Sequence, residues 1–214
     1  MKPANSPEKY EPLGRTCAAF ASSRCIASGD LKDVAANVRQ LLDLDKSASV
    51  LIFDDTTSEV IEVDFRGTVT DVLRKLGARR KANGHPTAKN LPGGSSPRAP
   101  GRPKLGVIAR EITLLPRHWD WLGSQPGGAS VALRKLVEVA RHANAGKDRE
   151  RQAREATYNF MSVTAGNEPG FEEATRALFA GNRQRFDQLV TAWPPDVRDH
   201  AKKLAAIAFQ DLRN

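Results

Sequence analysis

The side chains able to do chemistry in this sequence are few and scattered. The histidines are His85, His118, His142 and His200, and none stands four residues from another, so no helix face carries a His-Glu-x-x-His zinc grip. Cys17 and Cys25 lie eight positions apart in an apolar stretch, without the Cys-x-x-Cys spacing of a zinc or redox site. They read as two buried small hydrophobes in a reducing compartment. The glycine-rich runs Leu91–Ser96 and Gln125–Ser130 match neither a Walker loop nor Gly-x-Gly-x-x-Gly. Asp54, Asp55 and Glu59 surround a turn, but a hard cation needs more oxygen ligands, and a solvated hairpin tip is the simpler reading. These residues lead us to expect no catalytic group, no metal and no cofactor.

Basic residues are the exception. Lysine and arginine total 33 against 25 acids, a net charge of +8. From Val72 to Arg110 there is no Asp or Glu, while ten cations occur: Arg74, Lys75, Arg79, Arg80, Lys81, Lys89, Arg98, Arg102, Lys104 and Arg110. That stretch carries +10 and the remainder −2. A polycation between near-neutral parts suits a polyanion such as nucleic acid; the alternative is a solvated linker that keeps the chain in solution.

The elements that must position these cations follow from periodicity. Hydrophobic residues at 40% and charged residues at 27% fit a globular chain, with no apolar run near the ~20 residues of a membrane span and no signal-peptide stretch at Met1–Pro7. A cytoplasmic protein without membrane contact is expected. Residues 1–14, with three prolines, read as a flexible tail. Residues 15–76 read as a small ββαββα module: strands at Cys17–Ala21 and Arg24–Ala27, a helix from Leu31 to Leu42 capped by Asp30, and a strand at Ser49–Phe53. An alternating strand at Val60–Phe65 and a helix from Thr68 to Leu76 complete it. Residues 77–106 hold six glycines and five prolines and read as a disordered basic linker. Residues 107–214 read as a helical region: a strand-like piece Val107–Leu115, then about five helices. These are Arg117–Ser124, a helix capped by Ser130 and running to His142, Arg149–Val163, Phe171–Ala180 with Arg183–Trp193, and Asp196–Leu212. The class is therefore α+β. Leu115, Trp119 and Leu122 share one helical stripe, and Leu133, Leu136, Val137 and Ala140 share another; both stripes read as core. Trp121 points away from Trp119 and should pack on the C-terminal helices or on a partner.

Three resemblances sharpen this. Pro100-Gly101-Arg102-Pro103-Lys104 resembles the core of an AT-hook, in which glycine lets the backbone approach the minor groove and proline keeps it extended. It departs from that pattern in having Pro100 where the hook has a second groove-inserting arginine. The order strand, Pro116, short helix, Gly-containing turn, Ser130-capped helix over Arg110–Arg141 resembles the ribbon-helix-helix repressors, whose paired strands from two subunits enter the major groove. That resemblance implies a homodimer, with a phosphate held at the N-terminus of the second helix by Gly128, Ala129 and Ser130, and with Arg134 and Lys135 one turn further on. Leu114 and Ile112, at positions that should face DNA, depart from it; a plain helix-turn-helix and an ordinary helical hairpin stay open. Finally, Leu115-Pro116-Arg117-His118-Trp119-Asp120-Trp121-Leu122, Gln125–Val137 and Gly170–Gly181 resemble a bacterial family known as domain of unknown function 2239, over roughly Thr16–Phe209. This resemblance implies a bacterial, cytoplasmic protein and no assigned activity.

The favoured function is nucleic-acid binding, DNA first, as a transcriptional regulator. The residues expected to make it are Arg79, Arg80, Lys81, Lys89, Arg98, Arg102, Lys104, Arg110, Gly128, Ser130, Arg134 and Lys135. The alternative is a non-enzymatic protein-interaction module in which the helical region holds a partner. An enzyme acting on an anionic substrate is a third class, without a visible catalytic set.

Overall fold

A computed structural model describes residues 16–83 and 110–210; the tail expected at 1–14 and residues 84–106 of the expected linker lie outside them. The chain divides into two compact units, a larger one of residues 1–84 with 146–214 and a smaller one of residues 85–145. The α+β class holds, with a three-stranded sheet near the N-terminus and a mainly helical remainder.

In the larger unit, β1 (Thr16–Ala21) and β2 (Arg24–Asp30) form a hairpin, and β3 (Val50–Asp54) pairs antiparallel on the other side, giving the order β2-β1-β3. The period of two along β1 sorts its side chains between two apolar clusters. Cys17 and Ala19 pack with Val34 and Val38 of α1 (Leu31–Leu44), whereas Ala18 and Phe20 join a cluster built on the C-terminal helices. β3 divides likewise, Ile52 toward α1 and Phe53 toward the C-terminal helices. Burial on both faces explains why β3 reads as a continuous apolar run and not as an alternation.

Local signals place the flanking helices. Asp30 caps α1 by accepting from the Lys32 amide at 2.9 Å. Thr68 and Asp71 bond reciprocally at the start of α2 (Val69–Asn83), the Thr68 amide donating to Asp71 Oδ2 at 3.1 Å and the Asp71 amide to Thr68 Oγ1 at 3.3 Å. The Thr68 bonds hold the Asp71 carboxyl below the usual carboxylate range. Two expectations need correction. The strand over Val60–Phe65 is a single bridge, Val60 to Phe53, followed by irregular backbone. Ile61, Val63 and Phe65 still turn toward the α1 cluster, so the alternation reports side-chain burial without a ladder. Between Val63 and Phe65, Asp64 accepts from the Arg66 and Lys75 side chains and ties the segment to α2. The helix expected to stop at Leu76 instead runs on to Asn83, because Ala78-Arg79-Arg80-Lys81-Ala82 are good helix formers and Gly77 meets no obstruction. The linker expected over 77–106 therefore does not begin at Gly77.

The second half of the larger unit comprises α5 (Phe171–Phe179), α6 (Arg183–Leu189) with a 3-10 turn at Val190–Ala192, and α7 (Pro195–Ala208), joined to the C-terminal part of α4 (Gly128–Thr164). Phe20 and Phe53 meet Phe160 of α4 with ring centroids 5.1 and 5.2 Å apart. Val197, Ala201, Leu204, Ala205 and Ala208 are buried, as the stripe on α7 predicts. One core thus joins the two ends of the chain, while a second cluster of Cys17, Ala19, Val34, Val38 and Ile52 lies within residues 15–76.

In the smaller unit, the strand-like piece expected over Val107–Leu115 has no strand structure at 110–115, and residues 107–109 lie outside the described residues. Pro116 opens α3 (Pro116–Ser124), a turn follows at Gln125–Gly127, and α4 begins at Gly128. Gly127 and Gly128 both have positive φ, 86° and 74°, and a Cβ on Gly127 would stand 3.2 Å from the Val131 side chain. The helices expected at 130–142 and 149–163 are one helix of 37 residues. Nothing between them breaks it: Ala143-Asn144-Ala145-Gly146-Lys147 contains no proline, and Arg151–Asp148 and Arg154–Glu150 pairs staple the following turns.

Candidate nucleic-acid interface

The expected residues fall in both units. Arg79, Arg80 and Lys81 sit on the last turns of α2, and Arg110 is exposed at the start of the described part of the smaller unit. Lys89, Arg98, Arg102 and Lys104 lie outside the described residues. Gly128, Ser130, Arg134 and Lys135 fall together on the first turns of α4. Because α4 begins at Gly128, Ser130 is the third helical residue and not the cap; this corrects the expected Ser130-capped start. The Ser130 carbonyl accepts from Arg134 Nε at 3.0 Å, which folds this exposed guanidinium back along the first turn.

The electrostatics of this end are one-sided. The Gly128 amide donates to the Gln125 carbonyl at 2.9 Å, and the first turn of α4 holds no acid, so its partial positive charge meets no neutralising side chain of its own turn. Ser130, Arg134 and Lys135 are all exposed, as is Arg117 on α3. Further along, Glu138 pairs with both Arg141 and His142, at 2.9 and 3.1 Å, and takes Arg141 out of the open basic surface. Over the whole smaller unit, residues 85–145 hold nine Lys/Arg against three Asp/Glu, a net of +6, and the other 153 residues carry only +2.

The aromatic and aliphatic stripes depart from expectation. Trp119 and Trp121 are 41% and 51% exposed. Leu133 is half-buried, while Leu136, Val137 and Ala140 are exposed; within the smaller unit only Leu122 and Ala132 are buried among the described residues. Helical periodicity grouped these residues correctly on one face, but no second layer of the unit covers that face.

Sequence reasoning missed a polar cluster in the larger unit. Asp196, His200 and Lys203 stand at i, i+4 and i+7 on α7. Asp196 accepts from the Cys25 amide at 2.9 Å, and Lys203 Nζ binds Asp55 Oδ2 at 2.9 Å. His200 lies between them along the helix, 4.6 Å from the Phe160 ring and 5.3 Å from Phe20. Burial pushes its imidazole down to about 4, with Asp55 opposing that shift and Lys203 adding to it. Of the two cysteines expected to be buried, Cys17 is and Cys25 is exposed; the partial desolvation of the Cys25 thiol, then Asp196, pushes it up. The polar spacing on α7 was the available signal, but Cys25 and Asp55 reach the helix from more than 140 residues away. This cluster ties the sheet to α7, and no group of three or more metal-ligating side chains occurs among the described residues.

A family described as an uncharacterized protein conserved in bacteria, domain of unknown function 2239, matches residues 16–205. The chain belongs to this family. No curated protein and no solved structure matches it. The matched span takes in the sheet, α3 and the open basic start of α4, and ends within α7. No helix among the described residues is long and apolar enough to cross a membrane; α4 has the length but carries charges throughout.

Proposed function

We propose that this protein binds nucleic acid, DNA first, through its smaller unit, in the cytoplasm and as a regulator of transcription. The observation that carries the reading is the partition of charge, +6 on residues 85–145 against +2 on all the rest. A phosphate backbone is the polyanion whose binding favours such a concentration of cations, through release of its condensed counterions. Supporting it, the start of α4 puts the positive end of a helix without acids in its first turn beside the exposed Arg134 and Lys135, the kind of place where a phosphate oxygen is met. The basic residues between α2 and α3 would contact phosphates in register-independent fashion and contribute affinity more than sequence choice.

The test is a titration of the full chain with a labelled duplex of about 20 base pairs and a single strand of about 20 nucleotides, at roughly 50 and 200 mM salt. Three phosphate contacts predict a loss of affinity of about 40-fold across that fourfold change in salt. Replacing Lys89, Arg98, Arg102 and Lys104 by glutamine should lower the logarithmic salt slope by up to ~0.9 for each phosphate that is no longer neutralised. Absence of binding to either oligonucleotide at the lower salt and micromolar protein refutes the reading.

A further inference from the structure

We infer that the α3–α4 hairpin is a self-association surface, and that its occupant is a second copy of this chain. The surface consists of Leu115 and Trp119 with Leu136, Val137 and Val139, extended by Ile112, each between 41% and 67% exposed. On α4 Ala129, Ala132, Leu133, Leu136, Val137, Val139 and Ala140 fall within one arc of under half the helix, while Arg134, Lys135, Glu138, Arg141 and His142, with Val131 among them, occupy the other.

Area decides what such a face requires. At roughly 80 Å² each, the six exposed side chains present on the order of 500 Å² of apolar surface, the upper range of what a monomer leaves open. The alanines and half-buried Leu114 and Leu133 at the rim bring it toward the ~800 Å² per partner of a stable interface. With only Leu122 and Ala132 buried among the described residues of this unit, the hairpin has almost no core of its own. It therefore needs a partner that is present whenever the chain is folded. A face free of charge across its centre resembles the interfaces of permanent oligomers, and a two-fold pair of identical copies is the commonest way to close one. The open hairpin of one copy then receives that of the other. The inference goes beyond nucleic-acid binding and stands without it.

Sedimentation of the full chain from about 1 to about 100 µM tests it. A dimer, at twice the 23.4 kDa chain mass, is expected across most of that range. The double variant Leu136→Glu, Val137→Glu should weaken association by at least about 50-fold while leaving the helical circular dichroism in place. Acrylamide quenching gives a reading that needs no variant: of Trp119, Trp121 and Trp193, only Trp193 is buried in the single chain. A dimer leaves one tryptophan, Trp121, open, and a monomer leaves two. A chain that sediments as a monomer at the highest concentration with two open tryptophans overturns the inference, and so does a dimer that survives the double variant.

Discussion

Acid should unfold this protein through His200. The imidazole is only 8% exposed, against the Phe20 and Phe160 rings, and its Nε2 has no hydrogen-bond partner. In the folded chain its pKa sits at about 4, whereas in the unfolded chain it returns to about 6.5. Between those values the unfolded state binds a proton that the folded state refuses. The stabilisation is thus complete above about pH 6.5 and is lost as pH falls toward 4, the sign expected of a histidine buried neutral. A gap of about 2.5 pH units at about 1.36 kcal/mol each limits the effect to roughly 3 kcal/mol, and most of it is gone by about pH 4.5. That is a large share of the ~5–15 kcal/mol that holds a domain folded. The perturbation that isolates it is His200→Phe, which keeps a ring between Phe20 and Phe160 but cannot titrate; the Asp55–Lys203 pair beside it remains. Urea unfolding of both proteins at several pH values between about 7.5 and about 4.5 gives the difference directly, and other carboxylates cancel between them. The wild type should lose about 2–3 kcal/mol more than the variant over this range. Parallel losses, or an NMR titration that places His200 near its ordinary 6.5, would refute the burial argument.

Two further expectations bear on the fold. Gly77→Ala should stabilise the protein by roughly 0.5–1 kcal/mol, since Gly77 lies inside α2 with open space at its Cβ; a destabilised variant in thermal melts would place the helix end at Leu76 after all. Phe160→Ala should cost about 3–5 kcal/mol, because this fully buried ring meets Phe20, Phe53 and His200 at once. Denaturation should then lose the N-terminal sheet and the C-terminal helices in a single transition; a sheet that survives alone would show that residues 15–76 are independent.

The sequence alone settled what depends on neighbours a few positions apart. The β1–β2 hairpin, α1 with its Asp30 cap, the start of α3 at Pro116 and the buried stripe of α7 all follow from local periodicity and capping chemistry. It also located the excess charge, since charge is a property of composition and needs no fold. What it could not settle is which surface each apolar face meets. Phe20 and Phe160 are 140 positions apart, and nothing in either neighbourhood says that they touch. His118 and His200 look alike as isolated histidines, yet one is exposed and the other lies under two aromatic rings. The stripe on α7 and the stripe on α4 are equally regular, and only the tertiary structure buries the first and leaves the second open. Periodicity determines which side chains share a face; whether that face is core or contact surface depends on what the rest of the chain brings against it, and that is decided only when distant segments pack.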